Sequence, residues 1–343
     1  MVLQHDRFRF LLGGMALFLA LFAGGEAVSH AKNPATASDK AAVPITQGQR
    51  VFTCGHSFHY WIPPILTDMA QGAGIRGHEA VGLSAIGGSR VIQHWNVPDD
   101  KNQAKRALRE GKVDVLTLSP MHQPDDGIEK FATLALEHNP NVRVTIQEFW
   151  IPWDKFEWPF KGQPDAVNFD AATIAELRKM HAPYFKTFDD YVLGLNKKLG
   201  KQVVFVVPSG QAVLALREKI VAGQAPGLSK QADLFSDKLG HPQPPLQALA
   251  AYCQFAVIYR TNPIGLPLPD ILAKAHRPEW DGKLNRLLQE LAWDAVTHHP
   301  LSGVKSEATS VPTATEELRV HLTLAGYELT ADEIARVVKS VGR

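Results

Sequence analysis

The tetrapeptide Gly55-His56-Ser57-Phe58 directly follows the apolar run Val51-Phe52-Thr53-Cys54. A serine at the end of a β-strand, just before a helix, sits where strand carbonyls and helix amides converge. Gly55 lets the chain turn there without a Cβ in the way. Such a serine serves either as a cap in a tight turn or as a nucleophile. A nucleophilic hydroxyl needs a base to take its proton. Of the 14 histidines, His241 is the candidate, because it lies in the polar loop Asp233 to Pro242, after the last expected strand and before an apolar helix. Ligand sites in open parallel sheets lie at the carboxyl ends of the strands, the edge where this loop should emerge. Asp237, four residues earlier, can fold back to fix the imidazole tautomer and stabilise its charged form. A solvated turn is the competing reading of the Asp237 and His241 pair.

The elements that must position these residues follow from the apolar pattern. Short Val/Ile/Leu runs at Val51 to Cys54, Ala80 to Leu83, Val113 to Leu118, Val142 to Ile146 and Val203 to Val207 predict five strands. Helical spacing predicts helices near 61–74, 101–110, 127–138 and 171–199 between them. This alternation implies a parallel sheet covered on both faces, and continuous apolar runs suit strands buried on both sides. An apolar helix is expected from Pro245 to Tyr259. Residues 149 to 168 pack aromatics and prolines into a long loop, which reads either as a flap docked by its aromatics or as a substrate wall. Beyond Pro263 a helical extension is expected, with helices at Leu284 to Val296 and after the capping box Thr330-Ala331-Asp332-Glu333.

The 343-residue chain is 45% hydrophobic and 21% charged, enough to bury a sizeable core. Its formal net charge of +1 gives no electrostatic reason to expect a nucleic-acid partner. Arg7 and Arg9, the apolar stretch Phe10 to Ala23, and Ser29-His30-Ala31 follow the order of a secretory signal peptide. Export after cleavage is therefore expected, with a signal at 1–31 and a disordered linker at 32–46. A membrane association would require the signal to stay uncleaved. The two cysteines, Cys54 and Cys253, read as buried small hydrophobes, and their pairing is left open.

At this point the arrangement resembles the SGNH/GDSL hydrolases. The likeness covers roughly residues 47 to 262 and is strongest at Val51 to Gly74, similar to members with a Gly-Asn-Ser-Phe version of the first motif. The resemblance implies a three-layer α/β/α sandwich with a flavodoxin-like sheet of about five parallel strands in the order 2-1-3-4-5. It implies Ser57 as nucleophile, His241 as base and Asp237 as its partner. The Ser57 amide and Gly88, from the text Ile86-Gly87-Gly88-Ser89-Arg90, would bind the oxyanion, with Gly87 the nearby alternative. Three departures stand out. His56 occupies a place where the family more often has Asp or Asn, so the hydrogen bonds of that side chain must be remade. The third block, Ser119-Pro120-Met121-His122-Gln123, lacks the family's asparagine; Met121 falls at its place, and His122 or Gln123 would have to substitute as donor. The Asp237-to-His241 spacing is one residue longer than Asp-x-x-His. The implied activity is hydrolysis of a small-molecule or polysaccharide ester, with acetylated carbohydrate as first expectation and no cofactor or metal required. The alternative is a binding module that keeps the fold without the chemistry.

Other constellations invite blander readings. His56 and His59 lack an accompanying carboxylate or cysteine cluster for a metal. His298-His299 reads as helix-end decoration, and Asp125-Asp126 as a helix cap. Arg90 and Trp95 either line the cleft or lie on the surface.

Overall fold

The computed structural model describes residues 43–121, 125–155 and 166–305. Five strands form one sheet: β1 (Arg50–Gly55), β2 (Glu79–Ala85), β3 (Val115–Leu118), β4 (Arg143–Gln147) and β5 (Val204–Val207). Every pairing is parallel and the order is β2-β1-β3-β4-β5, as expected. The inner strands and β5 are buried along their whole apolar runs, whereas β2, at the sheet edge, is largely half-buried or exposed. That difference is what burial on two faces demands of an interior strand and excuses in an edge strand.

The helices are α1 (Ile62–Gly72), α2 (Val91–Trp95), α3 (Gln103–Arg109), α4 (Asp126–His138), α5 (Ile174–Lys198), α6 (Ser209–Val221), α7 (Pro244–Tyr259), α8 (Asp270–Ala273) and α9 (Gly282–His298), with a 3₁₀ turn at Gln231–Leu234. On one face α1 packs on α7, and α7 on α6 and α9; on the other, α2 and α3 pack on α4. Tyr191 of α5 donates to the Asp125 carbonyl at the start of α4, joining α5 to that second layer. The result is a three-layer α/β/α sandwich. All described residues belong to one compact unit.

Local chemistry explains the joints. Pro63 and Pro64 occupy the first turn of α1, where a missing amide costs nothing. Asp125 caps α4 through Gly127 N (2.9 Å), and its other oxygen accepts from Val91 N (2.7 Å), so one carboxylate ties α2 to α4. Gly127 is obligatory at this crossing, since a Cβ there would lie 2.4 Å from the Ile92 nitrogen. Helix α7 is buried nearly all round and runs along the sheet. The expected helical extension begins with α8 and α9, and Leu284, Leu288 and Ala292 of α9 share the main core. Past α9, the Leu301 carbonyl accepts from Val206 N (3.0 Å) and covers the β5 edge.

Two helices depart from the sequence expectation. Helix α6 presents buried residues on most of its surface, so it shows no amphipathic stripe to read. Helix α2 is only five residues long and is set by its contacts. Cys54 and Cys253 are both free and fully buried, as small hydrophobes. Among the described residues no helix is long and apolar enough to cross a membrane. The expected signal and most of the linker, His122, Gln123 and the helix after Thr330 lie outside the described residues.

Gly127→Ala should destabilise the fold by about 1–3 kcal/mol through overpacking against the α2 backbone. Urea denaturation of the variant beside the parent chain measures this.

Candidate active site

Ser57 lies two residues past β1, in the turn that leads to α1. The turn is held from within: the His56 carbonyl accepts from His59 N and Tyr60 N, each at 2.9 Å, and the Trp61 indole donates to the Ser57 carbonyl (2.9 Å). The His56 ring is hydrogen-bonded at both nitrogens. Its Nδ1 accepts from Phe58 N (3.3 Å), which leaves the proton on Nε2, and Nε2–H donates to Ser119 Oγ at 3.1 Å. The unusual residue before the serine is therefore a spacer between the first and third sequence blocks.

The three distant residues meet. His241 Nε2 lies 2.8 Å from Ser57 Oγ, and His241 Nδ1 lies 2.6 Å from Asp237 Oδ2. Asp237 cannot donate, so the imidazole carries its proton on Nδ1 and turns a bare Nε2 toward the serine hydroxyl. The other carboxylate oxygen of Asp237 accepts from Leu239 N (3.0 Å) and His241 N (3.2 Å), folding the loop around the acid. Burial works to raise the Asp237 pKa, but the bonds from the His241 ring and amide outweigh it and hold the carboxyl below its ordinary value. The extra residue of the longer spacing is absorbed at Gly240, whose φ of +85° is a conformation that favours glycine. Solvent reaches this pair: the Asp237 side chain is 43% exposed and that of His241 30%. Such an order of bonds allows an imidazole to take a hydroxyl proton and return it to a leaving group.

After β2, Ile86 N donates to the Gly55 carbonyl and Ser89 N to the Ile86 carbonyl, forming a turn around Gly87 and Gly88. Gly88 has a φ of +61°. Among the described residues, neither the Ser57 amide nor the Gly88 amide has an acceptor. Met121 approaches Gly88, its Cε 3.9 Å from where a Cβ would stand, so a thioether lies beside this turn. His94 braces the same turn: its two ring nitrogens meet Ser84 Oγ and Ser89 Oγ, each at 2.7 Å.

Several expectations resolve into packing. His59 bonds Gln147 Oε1 (2.9 Å) and Thr117 Oγ1 (3.0 Å), which engages both its nitrogens. Trp95 packs edge-on against Phe131 and beneath Lys105, in the α2–α4 layer and not in the cleft. Arg90 stays half-exposed beside the buried Asp125. The first part of the long loop is a docked flap, since Phe149, Trp150, Ile151 and Trp153 are buried. Trp158 and Phe160 lie outside the described residues.

One cluster was not legible in the sequence. His299, taken as helix-end decoration, is 4% exposed and faces Glu148 and Asp189 at 3.5 and 3.4 Å. No sequence spacing announces this trio, because Glu148 follows β4, Asp189 lies in α5 and His299 follows α9. Leu301 N donates to His299 Nδ1 (3.2 Å), which places the imidazole proton on Nε2, the nitrogen that faces the acids. A metal would need that nitrogen bare, so the trio fits an imidazole N–H facing two carboxylates better than a metal centre.

No known protein family matches the chain, and no curated protein matches it either. Three solved structures share features of the fold. A DUF4886 family protein from Bacteroides uniformis superposes with a TM-score of 0.46 at 15% identity, over 76% of this chain and all of that one. A candidate SGNH hydrolase from Slackia heliotrinireducens gives 0.39 at 18% identity, over 61% of this chain and 97% of that one. WcbI, a polysaccharide biosynthesis enzyme, gives 0.36 at 14% identity, over 65% and 74%. These are distant likenesses and assign no activity here.

Burial lowers the pKa of three histidines around the site, to about 4 for His59 and His94 and about 3 for His181. The unfolded chain binds these protons near pH 6.5 and the folded one does not, so stability is complete above that pH. It should fall on acidification at about 1.4 kcal/mol per pH unit for each such histidine, down to its folded value. Urea midpoints from pH 7 to 4 test this, and a His→Gln variant at any one position should shallow the slope by about one proton.

Proposed function

We propose that the protein is an exported serine ester hydrolase of the SGNH type, working through an acyl-enzyme. The observation that carries the reading is the continuous hydrogen-bonded line from Ser57 Oγ through His241 to Asp237. In the proposed cycle Ser57 Oγ attacks the ester carbonyl carbon while His241 Nε2 takes the hydroxyl proton. The carbonyl π-electrons move onto oxygen, where the amides of Ser57 and Gly88 receive the charge. Collapse of this intermediate breaks the C–O bond, and His241 protonates the departing alkoxide. Water then enters by the same steps and releases the acid and free Ser57. Asp237 holds the imidazole and stabilises its cationic form throughout.

The oxyanion site is the weaker half of this machinery. A missing side-chain donor typically costs about 100–1,000-fold in rate, and Met121 cannot donate. Activated esters, whose leaving groups ask less of the oxyanion site, are therefore the favoured test substrates. Acetylated carbohydrate is the proposed natural class, supported by the secretory pattern of the N-terminus. The buried aromatics Phe149, Trp150 and Trp153 offer no sugar-stacking face, whereas Tyr60, three residues past the proposed nucleophile, is exposed. Met121 also favours a second reading, a binding protein that keeps the fold without turnover.

A fluorophosphonate probe should label the protein at Ser57, and p-nitrophenyl acetate should be hydrolysed. Ser57→Ala should abolish labelling and lower turnover at least about 10⁴-fold. Labelling at another residue, or none in a folded protein, would rule out the hydrolase. Asp237→Asn should reduce kcat at least tenfold by freeing the imidazole tautomer, a loss read directly from steady-state kinetics.

A further inference from the structure

The segment that leaves β4, Phe149 to Trp153, is buried but belongs to no strand or helix. Its backbone must find partners elsewhere, and side chains supply them. Phe149 N donates to the Tyr184 hydroxyl (2.8 Å), and Ile151 N to His181 Nε2 (3.0 Å). His181 Nδ1 donates to the Leu177 carbonyl (2.8 Å), so its Nε2 is bare and the ring is neutral. The carbonyls of Ile151 and Pro152 accept from Arg217 Nη1 at 3.2 and 3.4 Å. Arg217 is fully buried, and its remaining donors reach Gln231 Oε1 (2.7 Å) and the Phe169 carbonyl (2.9 Å). Burial lowers its pKa to about 10, which still leaves it cationic at neutral pH.

This strap is turned toward the loop that bears the acid and the base. The Trp153 indole donates to the Lys238 carbonyl (3.1 Å), and the Trp150 indole approaches the Gly240 carbonyl (3.4 Å). Lys238 follows Asp237 and Gly240 precedes His241, so the two indoles grip the loop at either end. Pro152 fills the third point of contact, 2.3 Å from where a Gly240 Cβ would stand. Phe58, next to the nucleophile, has its ring centroid 5.2 Å from those of Phe149, Trp150 and His241. One aromatic cluster thus connects the serine turn, the strap and the imidazole.

We propose that Trp150 and Trp153 are positioning residues that hold the Asp237–His241 loop in register with Ser57, with Arg217 as the internal anchor of the strap that carries them. The inference rests on reading Ser57 and His241 as the reacting pair. The loop needs such a brace because its acid and base are exposed to solvent and its own bonds are short-range. A displacement of about 1 Å at a catalytic group can cost about 100-fold in rate. An indole is suited to this work, since it offers one donor on a rigid apolar body.

The test is Trp153→Phe, which keeps an apolar ring and removes the donor, together with the Trp150→Phe/Trp153→Phe double variant. On p-nitrophenyl acetate, kcat should fall about tenfold in the single variant and further in the double, with KM within twofold. A second readout does not depend on turnover. The His241 Nδ1 proton, bonded to Asp237, should give a low-field proton resonance in the parent chain that broadens or shifts in the double variant. Arg217→Lys should move the same resonance in the same direction. Parent-like kcat together with an unchanged resonance in the double variant would overturn the proposal. If the parent chain hydrolyses no ester, the hydrolase reading fails and the resonance alone decides whether the indoles position the loop. Should the double variant not fold, Trp153→Phe alone decides by both measurements.

Discussion

The 2.8 Å contact between Ser57 and His241 joins residues 184 positions apart, and the rest of the architecture can be understood as what makes that contact possible. Two polar groups at a sheet rim do not find each other unaided. The loop that carries His241 lies partly in water, where competing bonds to solvent cost it little. Its geometry is therefore imposed from outside: by Asp237 within the loop, by the closure of Ser236 N on the His241 carbonyl (2.8 Å), and by the buried strap beneath. The parallel sheet supplies the frame, because it brings the ends of β1, β3 and β4 to one edge.

Beneath the site the molecule keeps a polar layer. The register aligns Thr53, Thr117 and Thr145 across β1, β3 and β4, on the face covered by α1 and α7. The Thr53 and Thr117 hydroxyls bond each other (3.0 Å), His59 bridges Thr117 and Gln147, and Gln147 donates to the Phe58 carbonyl (2.9 Å). A buried polar network of this kind is costly unless its members are satisfied, and in return it favours one arrangement of the chain. Here it fixes the turn that presents Ser57. The neutral histidines fit the same logic, since a buried imidazolium without a counter-charge would be far more expensive.

How much of this was readable follows from the range of each interaction. The five strands and the amphipathic helices announced themselves, because apolar periodicity is a local property. The turn that carries Ser57 was legible for the same reason: apolar run, glycine and prolines follow closely on one another. The burial of Trp150 and Trp153 was not. Aromatics in a long loop have the same composition whether they face solvent or a core, and only the fold shows that these are inside. Arg217 was invisible as a buried anchor, since nothing in Ala215-Leu216-Arg217-Glu218 distinguishes it from a surface arginine. His299 misled for a related reason, because its partners Glu148 and Asp189 lie far away in the chain.

The sequence by itself determined the strand-helix rhythm, the order of the layers and the chemical types available at the rim, because each depends on neighbours within a few residues. Only the tertiary structure decided the distances: that His241 faces Ser57 with a bare nitrogen, that a thioether lies near Gly88, and that the aromatic strap faces inward. The physical reason is that hydrogen bonds and close packing act over a few ångströms, whereas these partners are separated by tens to hundreds of residues. Their meeting is a property of the folded chain alone.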